Sequence, residues 1–243
     1  MEERDETYGA RCADVYDQWF GYSDERAVDV LAELAGGGRA LELGIGTGLV
    51  ALPLAARGVE VHGVDASAEM VARLRAKPGG DAIPVTLGDF ADVPAEGEFR
   101  LVYVVYNTLF ALQTQEEQVR CFQSVAARLA PGGSFVVEAF VPDLAQLSAG
   151  QGVRLLHMTD DRVGIRVFQH DPVGQKLRSR HVVFREGGSQ VFPVEVRYCW
   201  PSELDLMARL AGLRLRSRWG DWRRGEFDAR SEKHVSVYER PPL

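Results

Sequence analysis

The sequence predicts an α/β protein with a doubly wound, mostly parallel seven-stranded sheet and an antiparallel β insertion before the last helix. Three observations indicate this fold. A short apolar run enters a glycine-rich turn and then an alanine- and leucine-rich helix within residues 39–57. Apolar strand patterns then alternate with helical patterns. From about residue 150 to 199, β-branched and alternating residues separated by short turns replace this order.

The seven strands of the main sheet are predicted from short apolar runs. They are Ala40–Leu43, Val59–Val64, Ile83–Leu87, Phe99–Val105, Ser134–Ala139, Leu213–Trp219 and His234–Tyr238. The run Phe99–Val105 is almost continuously apolar, which is typical of a central parallel strand buried on both faces.

The helices are predicted from their capping signals and their periodicity. Helices are expected over residues 24–35, 49–57, 67–76, 114–129 and 201–211, with Asp24 or Ser23, Ser67 and Thr114 as N-caps. Thr114 and Glu117 form a capping-box pattern. A further aromatic-rich helix is expected over residues 8–20.

The insertion is expected to be a hairpin array. Its predicted strands are Val163–Phe168, His181–Phe184 and Val191–Tyr198, and short turns between strands imply antiparallel pairing. We therefore divide the chain into a cofactor-binding core with N-terminal lid helices (1–149), the insertion (150–199), and a C-terminal helix with closing strands (200–243). The insertion is interpreted either as a cap over the site or as a dimer contact. The second alternative implies a homodimer.

The composition is that of an ordinary globular protein, with 46% hydrophobic and 26% charged residues. No apolar run approaches the roughly 20 residues of a membrane span, and the acidic N-terminus is unlike a secretory signal. The three cysteines lie far apart and form neither a metal-ligand cluster nor an obvious disulfide set. The sequence thus predicts no membrane partner, no metal, and a reducing, cytoplasmic location.

The charge is unevenly distributed along the chain. The net charge is −7, which argues against non-specific binding of nucleic acid. Residues 1–150 hold 11 Lys and Arg against 23 Asp and Glu, whereas residues 151–243 hold 17 against 12. The basic C-terminal part either faces an anionic small molecule or is a solvated, Arg-rich sheet surface.

The glycine turn has the pattern Glu42-x-Gly44-x-Gly46-x-Gly48. Glycine suits such a turn because it tolerates positive φ and lets a ligand approach the backbone closely. A dinucleotide fingerprint has the spacing G-x-G-x-x-G, and here Leu49 stands where the third glycine would be needed. A nicotinamide-dependent oxidoreductase is therefore a disfavoured alternative, and a non-catalytic cofactor-binding module is another.

This pattern resembles motif I of the class I S-adenosylmethionine-dependent methyltransferases. The resemblance covers residues 39–140, and the chain is most similar to bacterial small-molecule N- or O-methyltransferases, loosely including those that methylate aminosugars. It implies a Rossmann-like methyltransferase fold, S-adenosylmethionine as cofactor, and transfer of a methyl group to N or O of a small-molecule metabolite. In the family, the acid at Glu42 helps hold the methionine end of the cofactor, with the glycine turn beneath it.

Later residues match the family in order. Asp65 closes the second strand, 23 residues after Glu42, where an acid can accept both ribose hydroxyls. The Asp-x-Ser-x-x-Met pattern implies that Met70 lies against the adenine, and the neighbour Ala66 belongs to the same implied cofactor contacts. The Gly88-Asp89-Phe90 turn implies that Asp89 binds the adenine amino group and that Phe90 flanks the ring.

In the leading helix, Tyr16 is the positional candidate for a hydroxyl that reaches the cofactor carboxylate. The alternative is that Tyr16 only docks the helix on the core.

The acceptor is expected beyond the carboxyl ends of the fourth and fifth strands, where ligands bind in α/β sheets. Tyr106 and Glu138 are the candidate catalytic residues, with Tyr106 also near the cofactor. Glu138 either lines the acceptor pocket or is a buried structural acid. The candidate substrate contacts are Asn107, Phe110, Phe140 and Trp222, of which Trp222 alternatively packs its loop. An N or an O acceptor, and catalysis with or without a general base, are the alternatives at this point.

Overall fold

The computed structural model describes residues 13, 16–17 and 24–242. Its main sheet has seven strands in the order β10-β11-β5-β4-β1-β2-β3. They are β1 Ala40–Leu43, β2 Val61–Asp65, β3 Val85–Leu87, β4 Phe99–Val104, β5 Leu129–Phe140, β10 Arg214–Trp219 and β11 Lys233–Glu239. Strand β11 is antiparallel to β5 and β10, and the other pairs are parallel. The predicted fold class is thus confirmed.

Helices cover both faces of this sheet. They are α1 Glu25–Ala35, α2 Ala51–Ala56, α3 Ala68–Arg75, α4 Gln115–Arg128, α5 Leu144–Leu147 and α6 Pro201–Leu210, with 3₁₀ helices at Gly80–Ala82 and Thr108–Ala111. Strand β4 separates two apolar cores, because its alternate side chains point to opposite faces. Leu101 and Tyr103 join the core beneath α1 and α2, whereas Val102 and Val104 join the core beneath α4 and α6.

The expected helix caps are present. Asp24 Oδ1 accepts from the N–H of Arg26 at 3.0 Å, and Ser67 Oγ accepts from that of Met70 at 3.2 Å. Thr114 and Glu117 form the predicted capping box at the start of α4. Each cap satisfies a backbone donor that has no partner within its helix.

Several strand boundaries differ from the prediction. β5 begins at Leu129 rather than Ser134, because Leu129 pairs with Phe99 and the following turn exchanges backbone hydrogen bonds with Arg240. β3 is short, with Ile83 outside it. Helix α2 begins at Ala51 rather than Leu49, since the turn at Gly48 has φ 79° and a non-helical conformation.

The insertion is a separate sheet of four antiparallel strands in sequence order. These are β6 Gln151–Met158, β7 Arg162–Asp171, β8 Lys176–Arg185 and β9 Gly188–Arg197. The sequence predicted only three of them. It missed β6, an edge strand whose pairing with β7 shifts register between Leu155 and His157, so its side chains do not alternate regularly. The three-part division of the chain stays a prediction.

A buried polar network holds the insertion against the core. Gln118 of α4 donates to the carbonyl of Arg197 at 2.9 Å, and its side-chain oxygen accepts from the Arg197 guanidinium. Arg197 in turn forms an ion pair of 2.7 Å with Glu203 of α6. The inner face of the insertion sheet is thereby fixed over the carboxyl end of β5. Across residues 13, 16–17 and 24–242, no helix is long and apolar enough to cross a membrane.

Candidate active site

The glycine turn after β1 depends on its glycines. Gly44, Gly46 and Gly48 have φ values of 71°, 54° and 79°. A Cβ on Gly44 would lie 2.4 Å from Thr108 Cγ2, and one on Gly48 would lie 2.4 Å from Leu74 Cδ1. The backbone conformation favours glycine at all three positions, and at Gly44 and Gly48 a larger residue would also have to displace a neighbouring side chain.

Asp65, at the end of β2, is tied to this turn. Its Oδ2 accepts from the N–H of Gly46 at 2.7 Å, and its Oδ1 accepts from the N–H of Ser67 at 2.8 Å. Burial raises the pKa of Asp65, and these backbone hydrogen bonds partly offset the effect. Because a carboxylate oxygen can accept more than one hydrogen bond, Asp65 retains capacity for ligand hydroxyls.

Glu42 is a buried acid directly before the turn. It is 3% exposed and accepts a hydrogen bond of 2.9 Å from the Tyr103 hydroxyl. Burial, with a smaller contribution from Asp65, raises the pKa of Glu42 to about 8. No Lys, Arg or His among the described residues forms an ion pair with it. A buried carboxylate without a counterion favours a cationic ligand beside it.

Residues from the N-terminal segment lie over the glycine turn. Asp17 forms a 2.6 Å ion pair with Lys77 and accepts from the Thr47 hydroxyl at 2.5 Å, while Lys77 also donates to the Thr47 carbonyl at 2.7 Å. Tyr16 lines a narrow pocket together with Glu42, Gly44, Gly46, Tyr106 and Thr108. Apart from Ala13, Tyr16 and Asp17, the predicted helix over residues 8–20 lies outside the described residues.

The candidate adenine contacts lie further along the same edge of the sheet. The N–H of Gly88 donates to the Asp65 carbonyl at 2.9 Å, which brings the loop holding Asp89 next to the β2 end. Met70 is buried against Ala13 and Phe192, so β9 reaches this end of the site. Phe90 is 8% exposed and belongs to the core, and Ala66 is exposed beside Asp65.

The turn after β4 has an unusual backbone. Tyr106 and Asn107 are consecutive non-glycine residues with φ values of 56° and 66°. The N–H of Tyr106 donates to Glu138 Oε2 at 3.3 Å, and Asn107 Oδ1 accepts from the N–H of Phe140 at 2.7 Å. Residues in this conformation persist only where the surrounding contacts hold them, and they concentrate at functional sites.

Glu138 is hydrogen-bonded to this turn and to two further side chains. Its Oε1 accepts from Trp222 Nε1 at 3.0 Å and from Lys233 Nζ at 3.2 Å. Of the two alternatives for Glu138, its contacts favour the buried structural acid. Trp222 is 3% exposed and packs its loop beneath the turn, so this structure does not bring it to the acceptor cavity.

The Tyr106 hydroxyl is a hydrogen-bond donor rather than a base. Burial, followed by the charge of Glu138, raises the pKa of Tyr106 to about 12. The phenol is therefore protonated at neutral pH.

A cavity of about 1130 Å³ lies beyond the turn, between the carboxyl end of β5 and the inner face of the insertion sheet. Asn107, Phe140, Arg154, Arg166 and Trp200 are among the residues that line it. Phe110 is fully buried and packs edge-to-face on Phe140 at 5.1 Å, so it supports the wall without facing the cavity. Tyr106 thus borders the narrow pocket and Asn107 borders the large cavity.

Several residues near the cavity and the glycine turn were not predicted from the sequence. Arg154 and Arg166 lie on strands that carry no motif, and Lys77 contacts Asp17 across 60 positions of sequence. Tyr103 lies within a buried, mostly apolar strand, and only its hydrogen bond to Glu42 distinguishes it from its neighbours. The excess of positive charge after residue 150 was the one available signal for the arginines.

Comparison with known proteins identifies the family. A family model described as a methyltransferase domain matches residues 40–133. The solved structure of the CcbJ methyltransferase from Streptomyces caelestis is 42% identical, covers 97% of this chain and 98% of its own, and superposes with a TM-score of 0.91. The cypemycin N-terminal methyltransferase of a Streptomyces species is 30% identical over 201 residues, 82% of either chain.

More distant structures share the fold. S-adenosylmethionine-bound CalS10 from Micromonospora echinaspora, described as an amino pentose methyltransferase, is 22% identical with a TM-score of 0.68 over 99% of this chain and 100% of its own. The family model and the two more similar relatives decide against the nicotinamide-dependent alternative and against a non-catalytic module. The chain belongs to the class I methyltransferases, and it is an enzyme that uses S-adenosylmethionine.

Proposed function

We propose that the enzyme methylates a nitrogen atom of a small-molecule amine bound in the 1130 Å³ cavity. The observation that carries this proposal is the Tyr106–Asn107 turn, which borders the narrow pocket on one side and the large cavity on the other. A methyl donor at the narrow pocket and a methyl acceptor in the large cavity would meet at this turn.

The acids at the carboxyl ends of β1 and β2 have the chemistry to bind S-adenosylmethionine. Glu42 is a buried acid that a cationic group would hold ionised, and Asp65 offers carboxylate oxygens to hydroxyls. The glycine turn lets the ligand approach the backbone. We assign cofactor binding to Tyr16, Glu42, Gly44, Gly46, Gly48, Asp65, Ala66, Met70, Asp89, Phe90 and Tyr106. When bound, the cofactor supplies an activated methyl group whose departure leaves a neutral thioether.

The protein's contribution to the reaction is alignment. Holding two reactants in reactive geometry can supply about 7–11 kcal/mol of the barrier. Asn107 and Phe140 would orient the acceptor, Tyr106 would border both reactants, and Glu138 with Trp222 would keep the turn in its conformation. Tyr106 and Glu138 are then positioning residues, because the phenol stays protonated and the carboxylate already accepts hydrogen bonds on both oxygens.

Tyr106 and Glu138 are not suited to act as bases, which favours nitrogen over oxygen as the acceptor atom. A neutral amine reacts without a base, whereas a hydroxyl acceptor benefits by roughly 10²–10⁴-fold from one. Neither Tyr106 nor Glu138 is suited to remove a proton in this arrangement. The name of the cypemycin N-terminal methyltransferase, one of the relatives, also describes methylation at nitrogen.

To test this, the purified enzyme is incubated with S-adenosylmethionine and with pairs of candidate acceptors. Each pair shares one carbon skeleton and carries either an amine or a hydroxyl, and methylated product is measured by mass spectrometry. We expect product from amines only, at rates that rise with pH as the amine loses its proton. Methylation of hydroxyl members with unreactive amine partners would contradict the proposal.

We also propose that two copies of the chain associate through the outer face of the insertion sheet. Val153, Leu155, Phe184 and Val191 on this face are 67%, 56%, 46% and 53% exposed, and the cross-strand register groups them together. Contiguous exposed apolar surface of this kind favours a protein interface.

Size-exclusion chromatography with light scattering measures the molar mass of the protein and so tests the association. We expect Leu155→Lys to shift the protein to the monomer. Val173→Lys is the matched control, since Val173 is 93% exposed in the β7–β8 turn, away from this surface. A wild-type monomer at high concentration would exclude the dimer.

We propose a cytoplasmic enzyme without a nucleic-acid substrate. The net charge of −7 opposes binding to a polyanion, and Cys121 and Cys199 are free, buried thiols.

A further inference from the structure

We infer that the acceptor carries an oxyanion, a carboxylate or a phosphate, which Arg154 and Arg166 bind on the insertion-sheet wall of the cavity. This inference rests on the proposed function, because it assigns a recognition site to the acceptor of that reaction.

The register of the insertion sheet brings the two arginines together. Arg154 of β6 lies directly opposite Arg166 of β7, and Arg166 lies directly opposite His181 of β8. Directly opposed residues of an antiparallel pair share a face of the sheet, with Cβ atoms about 4.5–5.5 Å apart. Both arginines line the cavity that also contains Asn107. Since like charges in this arrangement repel each other, the pair favours an anion between the guanidinium groups.

The two arginines lack protein counterions. Across residues 13, 16–17 and 24–242, neither forms an ion pair, and Arg166 Nε is buried without a hydrogen-bond partner. Other arginines nearby are paired: Arg178, on the outer face, binds Glu195 at 2.9 Å, and Arg197 binds Glu203 at 2.7 Å. A buried donor without a partner in a native protein calls for a ligand or a functional reason.

The acids in the same cavity do not neutralise this wall. Asp228 forms an ion pair of 2.8 Å with Arg230, and Asp143 caps the helix that begins at Leu144. Glu232 precedes β11, and its carbonyl accepts from the N–H of Val141 at 2.8 Å, which places this residue beside the end of β5 in the main sheet. The wall is therefore locally positive in a protein whose net charge is −7.

The ionisation of neighbouring groups agrees with this local field. Burial, and then the charge of Arg154, lowers the pKa of Arg166. Burial, and then the charge of Arg166, lowers the pKa of His181. His181 is thus biased towards its neutral form, which leaves the two guanidinium groups as the positive charges of this wall.

The geometry of the guanidinium group specifies the class of ligand. Its planar fork of N–H donors matches the paired oxygens of carboxylate and phosphate groups. Arg166 Cζ also lies 5.4 Å from the ring centre of Phe168, which restricts the orientation of its fork. Asn107 lies at the reaction turn and the arginines lie on the insertion wall, so the acceptor would present its amine and its oxyanion to different walls of the cavity.

The experiment uses the full chain saturated with S-adenosylhomocysteine. Phenyl phosphate, benzoate and neutral benzamide are titrated by calorimetry, and the Arg166 Nε–Hε resonance is followed by NMR in ¹⁵N-labelled protein. We expect saturable binding of at least one anion, a shift of this resonance, and no binding of benzamide. Tighter binding of phenyl phosphate would assign a phosphate, and tighter binding of benzoate a carboxylate.

Variants locate the binding site. Arg166→Gln and Arg154→Gln are expected to weaken anion binding by about tenfold or more, the loss of a charge-assisted pair of hydrogen bonds. Arg180→Gln removes the same charge from an exposed residue on the opposite face of the sheet and should leave binding unchanged. Unaltered affinity for S-adenosylhomocysteine confirms that each variant folds. If Arg166→Gln does not fold, Arg154→Gln on the edge strand decides the question.

The two proposals fail in different ways. Anion binding that is absent, or equal in Arg166→Gln, Arg154→Gln and wild type, overturns this inference while S-adenosylhomocysteine still binds and amines are still methylated. Failure to methylate any amine, with the anion site intact, overturns the proposed function instead.

Discussion

At the scale of single residues, the site contains acids that are buried before any ligand binds. Glu42 has the Tyr103 hydroxyl as its hydrogen-bond partner and lies in an environment that raises its pKa from 4.5 to about 8. Its stabilising contribution to the cofactor-free protein is therefore fully present below pH 4.5 and is lost as the pH rises through 8. A bound cation would reverse this preference by favouring the carboxylate.

Cofactor affinity should consequently depend on pH. Below about pH 8, binding a cation beside Glu42 releases a proton, so affinity for S-adenosylhomocysteine should increase between pH 6 and pH 8 by up to about tenfold per unit. Calorimetry in buffers of different ionisation enthalpy measures both the affinity and the proton release.

Glu42→Gln is the matched variant for this measurement. It keeps an acceptor for the Tyr103 hydroxyl but has no charge, so its affinity should be weaker and independent of pH over this range. A pH dependence equal to that of the wild type would assign the titration to another group.

Trp222 illustrates a residue whose two interpretations predict different kinetics. Its indole donates to Glu138 beneath the Tyr106–Asn107 turn. Trp222→Phe should lower kcat and the melting temperature with little change in KM, because a hydrogen bond to a buried charged group contributes roughly 1.5–3 kcal/mol. Steady-state kinetics and thermal unfolding measure these effects. A rise in KM at unchanged kcat would instead indicate direct contact with the acceptor.

At the scale of elements, one of the contacts between the described N-terminal residues and the Rossmann-like core is a small polar cluster. Asp17 contacts Lys77 and Thr47, and Thr47 belongs to the glycine turn itself. The position of Asp17 is therefore linked to the conformation of that turn.

Lys77→Ala should weaken the contact between Asp17 and the glycine turn. The ion pair is partly exposed, with side-chain exposures of 26% and 40%, so we expect affinity for S-adenosylhomocysteine to fall by only a few-fold, in keeping with about 1 kcal/mol or less. Arg75→Ala, an exposed basic residue at the end of α3, is the control. Equal affinities of the two variants would show that the cluster does not contribute to binding.

At the scale of the whole molecule, the insertion sheet forms one wall of the large cavity and is attached to the core through buried polar groups. Arg197 and Glu203 have side-chain exposures of 8% and 16%, and Gln118 joins the same network. Such a network fixes the position of the wall relative to the reaction turn.

Arg197→Met should therefore destabilise the protein strongly. It leaves Glu203 partly buried without its counterion, and removal of one partner of a buried pair lowers the free energy of unfolding by about 3–5 kcal/mol. Urea denaturation measures the change. Arg178→Met, which breaks the exposed pair with Glu195, should lower it by no more than about 1 kcal/mol. Similar losses in both variants would contradict the network's role.

The sequence by itself determined the fold and the identity of the cofactor, and it predicted the residues of the cofactor half of the site. The order of Glu42, the three glycines and Asp65 lies within two consecutive βα units, and local signals such as the Thr114–Glu117 capping box need only neighbouring residues. Apolar periodicity locates the buried strands because each one must place its side chains on a defined face.

Only the tertiary structure decided which residues line the large cavity that we propose for the acceptor. It placed Trp222 and Phe110 behind the cavity wall and brought Arg154 and Arg166 onto it. These positions depend on strand register and on contacts between distant parts of the chain, such as Trp222 with Glu138 across 84 positions. A local pattern carries no information about such contacts, because a shift of one residue in register moves every side chain to the other face of the sheet.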